Sequence, residues 1–377
     1  MLPYRAALPI ALACFCSFAR PDSLSDLETT IDSLHAEGAI LAIQIVAGSN
    51  DEVILERSLG LRSPNDKTPV DANTQFCIGS CSKPFAAATL LSLVQSGELD
   101  LDEPIDAHLP EFGNLKLANA DTSIRAPNLR ELLSHRAGIY SQKLGMNRRQ
   151  ARWIRDFTLD LEGSVKGISK EALIFEPGTD YAYSGAGYCV VGRVAEAALS
   201  QPFETIFQKR VARPLDLERT TYFPSSEETN VATGSIDGNP NKATPHLSRP
   251  FQLPLIGGSL YSTARDSAKF LQWIAMHSSL QQDPLLDPEH YRLFTTAHFK
   301  GKAYGLGWSF KIHNRKIVEL SHTGALASSR ATFKVNLSNG NYVAALYTLT
   351  HPKHSAEVGR RLNGAIARFS SNGGSSQ

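Results

Sequence analysis

The stretch "FCIGSCSKPF" at residues 76–85 places Ser80 three positions before Lys83, between an apolar run and an alanine-rich segment of helical character. Three residues is close to one helical turn, so the amine comes within reach of the hydroxyl. A serine hydroxyl needs a base to become a nucleophile. A lysine serves as one only where apolar surroundings or another cation lower its pKa, and Phe76, Ile78 and Phe85 are the apolar candidates. A helix start also presents unpaired backbone N–H groups, so the amide of Ser80 is itself placed to hold a developing oxyanion. Pro84 suits a first turn, where no intrahelical acceptor is lost. The plainer reading makes Ser80 a helix cap and Lys83 a surface residue, and Ser-x-x-Lys alone does not separate the two.

Two further stretches carry side chains of the right kind. In "EPGTDYAYSGAGYCVVG", residues 176–192, Tyr183 is a candidate acid or base where a nearby ammonium stabilises its phenolate. Alternatively Tyr181, Tyr183 and Tyr188 are packing residues with hydroxyls at the surface. In "LSHTGALASSRATF", residues 320–333, His322, Thr323 and Gly324 follow one expected strand and precede another. Gly324 allows a substrate close to the backbone; the competing reading is an ordinary loop.

The elements that must position these residues read from periodicity. "PDSLSDLETTIDSLHAEGA" has a helical apolar rhythm ending at Gly38, and "LAIQIVA" and "VILERSLG" read as strands joined by the turn "GSNDE". Near the other end, "YGLGWSFKI", "RKIVELSH", "RATFKVNL" and "YVAALYT" are strand candidates, followed by the amphipathic "SAEVGRRLNGAIARF". Between them, "KPFAAATLLSLVQSG", "NLRELLSH", "GYCVVGRVAEAALS" and "ARDSAKFLQWIAMH" read as helices. The expected fold is α/β in the α+β sense: an antiparallel sheet from both chain ends, about 40–75 and 300–350, flanked by terminal helices. A mostly helical lobe, about 80–299, is inserted, and the cleft between the lobes is the place for a site. Residues 20–369 form one domain on this reading, and "SSNGGSSQ", 370–377, is a disordered tail.

A formal charge of +1 gives no reason to expect a nucleic-acid partner, and "NRRQARWIR" at 147–155 reads as a solvated helix face. "MLPYR", "AALPIALACFC" and "SFA" have the layout of a secretory leader, residues 1–19, so the expectation is export to the periplasm or the extracellular space. Lipidation at Cys14 is the less favoured alternative, because Ala11 stands where such sites carry leucine. No later segment is apolar enough over sufficient length to span a membrane. Cys77, Cys81 and Cys189 form neither a disulfide framework nor a zinc pattern and read as small buried hydrophobes. A cysteine nucleophile beside Ser80 is the alternative.

Taken in order, the three stretches resemble the serine β-lactamase and penicillin-binding-protein superfamily, in its class C β-lactamase-like branch, which includes D-amino-acid peptidases and carboxylesterases. "NLRELLSHRAGI", "RPLDL", "GGSLYSTARDSAKFLQW" and "YGLGWSF" extend the resemblance along nearly the whole chain. It implies Ser80 as the acylated serine, Lys83 as its partner and Tyr183 as the third catalytic side chain. His322, Thr323 and Gly324 stand for the Lys-Thr-Gly strand motif, with the amides of Ser80 and Ala325 as the oxyanion hole. No metal or organic cofactor is implied, and the partner is a small ester, D-amino-acid peptide or β-lactam. One departure is Gly185, where the family has an asparagine that contacts the lysine and the substrate acylamide. Its loss removes a polar contact and opens space beside Lys83, and His322 in place of lysine weakens the fixed positive charge. Esterase or peptidase activity therefore ranks above β-lactam hydrolysis. The alternative is a non-hydrolytic sensor or inactive scaffold of the same fold. His135, Arg265 and Trp308 read as structural, the first two holding loops around the cleft.

Overall fold

The computed structural model describes residues 22–118, 120–225, 227–234, 244–280 and 282–371. The expected leader lies outside the described residues, as do 372–377 of the expected tail; Ser370 and Ser371 instead belong to the last helix.

Helix α1 (Asp22–Ala36) leads into β1 (Ile40–Ser49), β2 (Glu52–Ser63) and β3 (Asp66–Pro69). After two short ribbons, β4 (Phe76–Cys77) with β7 (Tyr261–Ser262) and β5 (Leu115–Leu117) with β6 (Ala120–Ile124), the sheet resumes. It continues with β8 (Ser309–His313), β9 (Lys316–Leu326), β10 (Ser329–Asn336) and β11 (Asn341–Leu349). The seven strands lie in the order β3–β2–β1–β11–β10–β9–β8, all antiparallel, and the chain ends meet where Ile43 pairs Tyr347 and Ile45 pairs Ala345. The sheet is thus built from both termini, as expected.

Both central strands are buried on both faces, which is why they read as continuous apolar runs. Ile43, Ile45 and Ala47 of β1, with Val343, Ala345 and Tyr347 of β11, pack under α1 and the C-terminal helix α10 (Ser355–Ser371). The alternate residues, Ala42 and Val46 with Tyr342, Ala344 and Leu346, face the helical lobe. Gln44 on that side is satisfied by the Asp71 carbonyl oxygen and by the N–H of Ala264, 2.9 Å from its Oε1.

The lobe contains α2 (Ser82–Gln95), α3 (Leu129–Leu133), α4 (Arg148–Arg155), α5 (Leu161–Ile168), α6 (Gly185–Leu199), α7 (Phe203–Phe207), α8 (Ala264–Met276) and α9 (Pro288–Thr295). Helix α2 is buried on every side from Ser82 to Leu93, the condition of a central helix rather than an amphipathic surface one. Phe85 stacks on Phe270 at 4.0 Å and meets Phe207 and Phe333 edge-on, tying α2 to α8, α7 and β10. Each fully buried ring of this kind contributes roughly 1.5–3 kcal/mol. Trp308 lies in the same core, stacked 6.5 Å from Phe270. Among the described residues no helix is long and apolar enough to cross a membrane.

Candidate active site

Ser80 sits in a 3-10 turn, Gly79–Cys81, just before α2, and the residue at the N-cap of α2 is Cys81. No side chain caps this helix start. The hydroxyl of Ser82, not Ser80, serves the local backbone, donating to the Gly79 carbonyl oxygen at 2.6 Å. The capping explanation for Ser80 is thereby excluded and its hydroxyl is left facing the cleft. Gly79 adopts φ +54°, and a side chain there would collide with the backbone nitrogen of Ala325. Gly324 likewise leaves no room for a Cβ against the Ile78 carbonyl oxygen. The Ser80 turn and the end of β9 therefore touch backbone to backbone. Ser80 and Ala325 accordingly both line the cleft.

Lys83 is 1% exposed, a consequence of its place on the all-round-buried helix α2. Its Nζ donates to the Gly257 carbonyl oxygen at 2.7 Å and lies 3.3 Å from Ser80 Oγ. Burial lowers the amine pKa from 10.5 to about 7, with repulsion from Lys143 adding to the shift. Near neutrality a large fraction is free base, able to keep its contact with Gly257 and accept from Ser80.

Tyr183 lies across the Lys83 ammonium, 4.7 Å from Nζ to the ring centroid, and lines the same cavity as Ser80. Burial holds that phenol well above its ordinary value, so it is a protonated hydroxyl rather than a standing phenolate. Its loop is pinned at several points. Ser141 Oγ donates to the Tyr183 carbonyl oxygen at 2.6 Å, and the Ser184 N–H donates to His135 Nδ1 at 3.1 Å. His135 itself is fully buried, 4.2 Å from the Tyr183 ring, and acts on this loop as expected. Arg265 does not: it bonds Glu56 on β2, away from the cleft.

His322, Thr323 and Gly324 lie inside β9 rather than in a loop, paired to Phe333, Thr332 and Ala331 of β10. Strand β8 pairs with β9 only as far as Ser321, so the edge from His322 onward is free to face Ser80. His322 is buried, its Nδ1–H donating to the Thr323 carbonyl oxygen at 2.8 Å and its Nε2 accepting from the Tyr304 hydroxyl at 3.0 Å. Burial, and then the nearby Lys83, lower its pKa to about 3. The ring is neutral at any ordinary pH.

Ser80, Tyr183, His322, Thr323, Gly324 and Ala325 line one cavity of about 410 Å³, with Lys83 beneath Ser80. Gly185 is the exception. Its N–H donates to Gln142 Oε1 at 2.9 Å, and the Gln142 carboxamide lies 3.4 Å from where a Cβ would stand. The bare backbone at Gly185 is therefore covered, because a loop glutamine folds back over it. Tyr181 also lines the cavity; Gln142, Lys143, Lys302, Tyr304 and Ser309 complete the lining and, with Gly257, escaped the sequence reading. They come from loops and strand ends whose spacing carries no period. The three cysteines are buried and free, and burial pushes the Cys77 and Cys189 thiols up to about 12 and Cys81 well above its ordinary value. None is a thiolate nucleophile.

An antiparallel sheet from both termini, with a serine, a desolvated lysine and a tyrosine converging where the sheet meets a helical lobe, defines the β-lactamase/transpeptidase fold class. Residues 27–368 match the Beta-lactamase family, and the chain belongs to it. The chain is 26% identical to Esterase EstB of Burkholderia gladioli, covering 75% of this chain and 77% of that protein. It is 21% identical to the Putative D-alanyl-D-alanine carboxypeptidase of Escherichia coli (strain K12), covering 71% and 67% respectively. The structure of EstCE1, described as a hydrolase with promiscuous acyltransferase activity, superposes with a TM-score of 0.76 at 20% identity, covering 91% of this chain and 98% of that one. The chain spans 63% to 77% of the length of the curated relatives first matched.

Proposed function

We propose that this family hydrolase works through an acyl-enzyme on Ser80 and that its substrates are esters or D-amino-acid peptides, esters foremost. The observation that carries the reading is the buried Lys83 amine, 3.3 Å from Ser80 Oγ with its pKa lowered to about 7. Free-base Lys83 takes the hydroxyl proton as Ser80 Oγ attacks the carbonyl carbon, and the amides of Ser80 and Ala325 hold the oxyanion. The C–O or C–N bond then breaks and the proton passes to the leaving group by way of the Tyr183 hydroxyl. Water attacks the acyl carbon with Lys83 and Tyr183 again moving the proton, and Ser80 is regenerated. No step calls on a metal or an organic cofactor.

The preference for esters draws support from the likeness to Esterase EstB. The leader-like residues 1–19 support export, with a mature N-terminus near Arg20.

The test is incubation with a chromogenic acyl ester, followed by mass analysis of the intact protein. Turnover together with an acyl adduct on Ser80, both lost in Ser80→Ala, is the expected result. A permanent adduct without turnover would make the protein a sensor, and hydrolysis that survives Ser80→Ala would reject the assignment.

A further inference from the structure

The hydrolytic scheme leaves two lysines of the cleft without a task. Lys143 and Lys302 line the same cavity as Ser80, are exposed, and among the described residues neither is paired with a carboxylate. Among the described residues no acidic side chain lines the cavity. Each ammonium rests on an aromatic face instead: Lys143 Nζ is 4.4 Å from the Tyr183 centroid and Lys302 Nζ 5.7 Å from the Tyr181 centroid. His135 stands between those rings, 4.2 Å from one and 5.9 Å from the other. Two cations thus bracket one aromatic wall of the site.

Aromatic faces hold an ammonium without neutralising it, so both charges remain available to the cleft. Charges of one sign in a concave, partly desolvated site concentrate counter-ions of the other sign. The loop carrying Lys302 is also held in place, since Arg136 donates to the Lys300 carbonyl oxygen at 2.8 Å and lies 5.0 Å from the Phe299 ring. His322 cannot do this work, because both its ring nitrogens are engaged within the protein. The cations that face the cleft are therefore Lys143 and Lys302 rather than the side chain at this strand position.

We propose that the cleft selects acyl substrates bearing a carboxylate, and that Lys143 and Lys302 recognise it. The inference rests on Ser80 being the acylated residue. The carboxylate orients the substrate and takes no part in the bonds made or broken.

A matched pair of p-nitrophenyl esters tests this, the neutral butyrate against the anionic monosuccinate, compared as a ratio of kcat/KM. In the wild type at low salt the anionic ester is favoured by about tenfold, the scale of one charge-assisted contact in a partly exposed site. In about 1 M salt, where screening reaches ~3 Å, the ratio falls toward one. Lys143→Met and Lys302→Met each reduce the ratio several-fold, the double variant abolishes it, and Lys143→Arg retains it. The ratio is the readout because Lys143 also lies against Tyr183, so absolute rates shift for a second reason. Equal use of both esters by the wild type, or a preference indifferent to both substitutions, overturns the carboxylate inference alone. Failure to turn over or acylate with either ester overturns the hydrolase reading along with it.

Discussion

The carbonyl oxygen of Gly257 accepts a hydrogen bond from Lys83 Nζ at 2.7 Å, and this contact fixes the direction in which the amine faces Ser80 Oγ. A main-chain acceptor on a packed loop is more rigid than an amide on a rotatable side chain.

Gly257→Ala tests that role. A Cβ at this position would stand 2.9 Å from both Lys83 Nζ and Tyr188 Cβ. Tyr188 is fully buried, its hydroxyl donating to the Leu133 carbonyl oxygen at 2.7 Å, so the lysine is the partner that moves. Displacing a catalytic group by about 1 Å costs on the order of 10²-fold in rate. Ester kcat/KM is expected to fall by that scale while circular dichroism remains that of the wild type. A wild-type rate would show that Gly257 does not position the base.

The pH profile follows from two buried groups. Lys83 acts as free base with a pKa of about 7, so kcat/KM for a neutral ester should rise through pH about 7 and then level off. His322, with its pKa lowered to about 3, contributes no inflection between pH 5 and 8. Burial keeps Tyr183 protonated well into the alkaline range, so the plateau should be broad. A steady-state profile from pH 5 to 10 decides this. A profile flat across pH 7 would remove Lys83 as the base.

The same desolvation has a cost in stability. Below pH 10.5 the lysine of the unfolded chain takes up a proton, while the folded site resists it until about pH 7. The unfolded state therefore binds more protons in that window, and stability falls as pH drops from 10.5 through 7. Lys83→Met removes this penalty but leaves the Gly257 carbonyl without its partner. The net expectation at pH 6 is an inactive variant about 2 kcal/mol more stable than the wild type, with the gap closing and then reversing toward pH 10, where the penalty fades and only the lost hydrogen bond remains. Denaturant unfolding at both pH values measures it. A gap independent of pH would assign the effect to packing.

The parts visible in the sequence are those whose signal is local. The apolar runs of β1 and β11 are buried on both faces and read as strands without help. Ser80, Lys83 and Tyr183 stand out because their spacing and neighbours recur as segments in a fixed order. What stayed hidden depends on contacts far apart in the chain. Residues 322–324 extend β9 because Ala331–Phe333 pair with them, although His-Thr-Gly has little strand character of its own. Gln142 covers Gly185, and Gly257 meets Lys83, across 43 and 174 positions. No periodicity announces such meetings. Lys143 and Lys302 carry no sequence signal, and only folding places both on one cleft.

Gln142 also changes what should happen at Gly185. A side chain there is admitted at van der Waals distance, but asparagine would compete with the Gln142 carboxamide for the same volume. Gly185→Asn alone is therefore expected to change the amide-to-ester preference little, since one carboxamide displaces another. The double change Gly185→Asn with Gln142→Ala gives the new amide room to face both Lys83 and the substrate. For an ester and an anilide sharing one acyl group, the ratio of kcat/KM should shift toward the anilide by about two- to tenfold in the double variant, the worth of one neutral hydrogen bond. If the single substitution produces the whole shift, Gln142 is not filling that place.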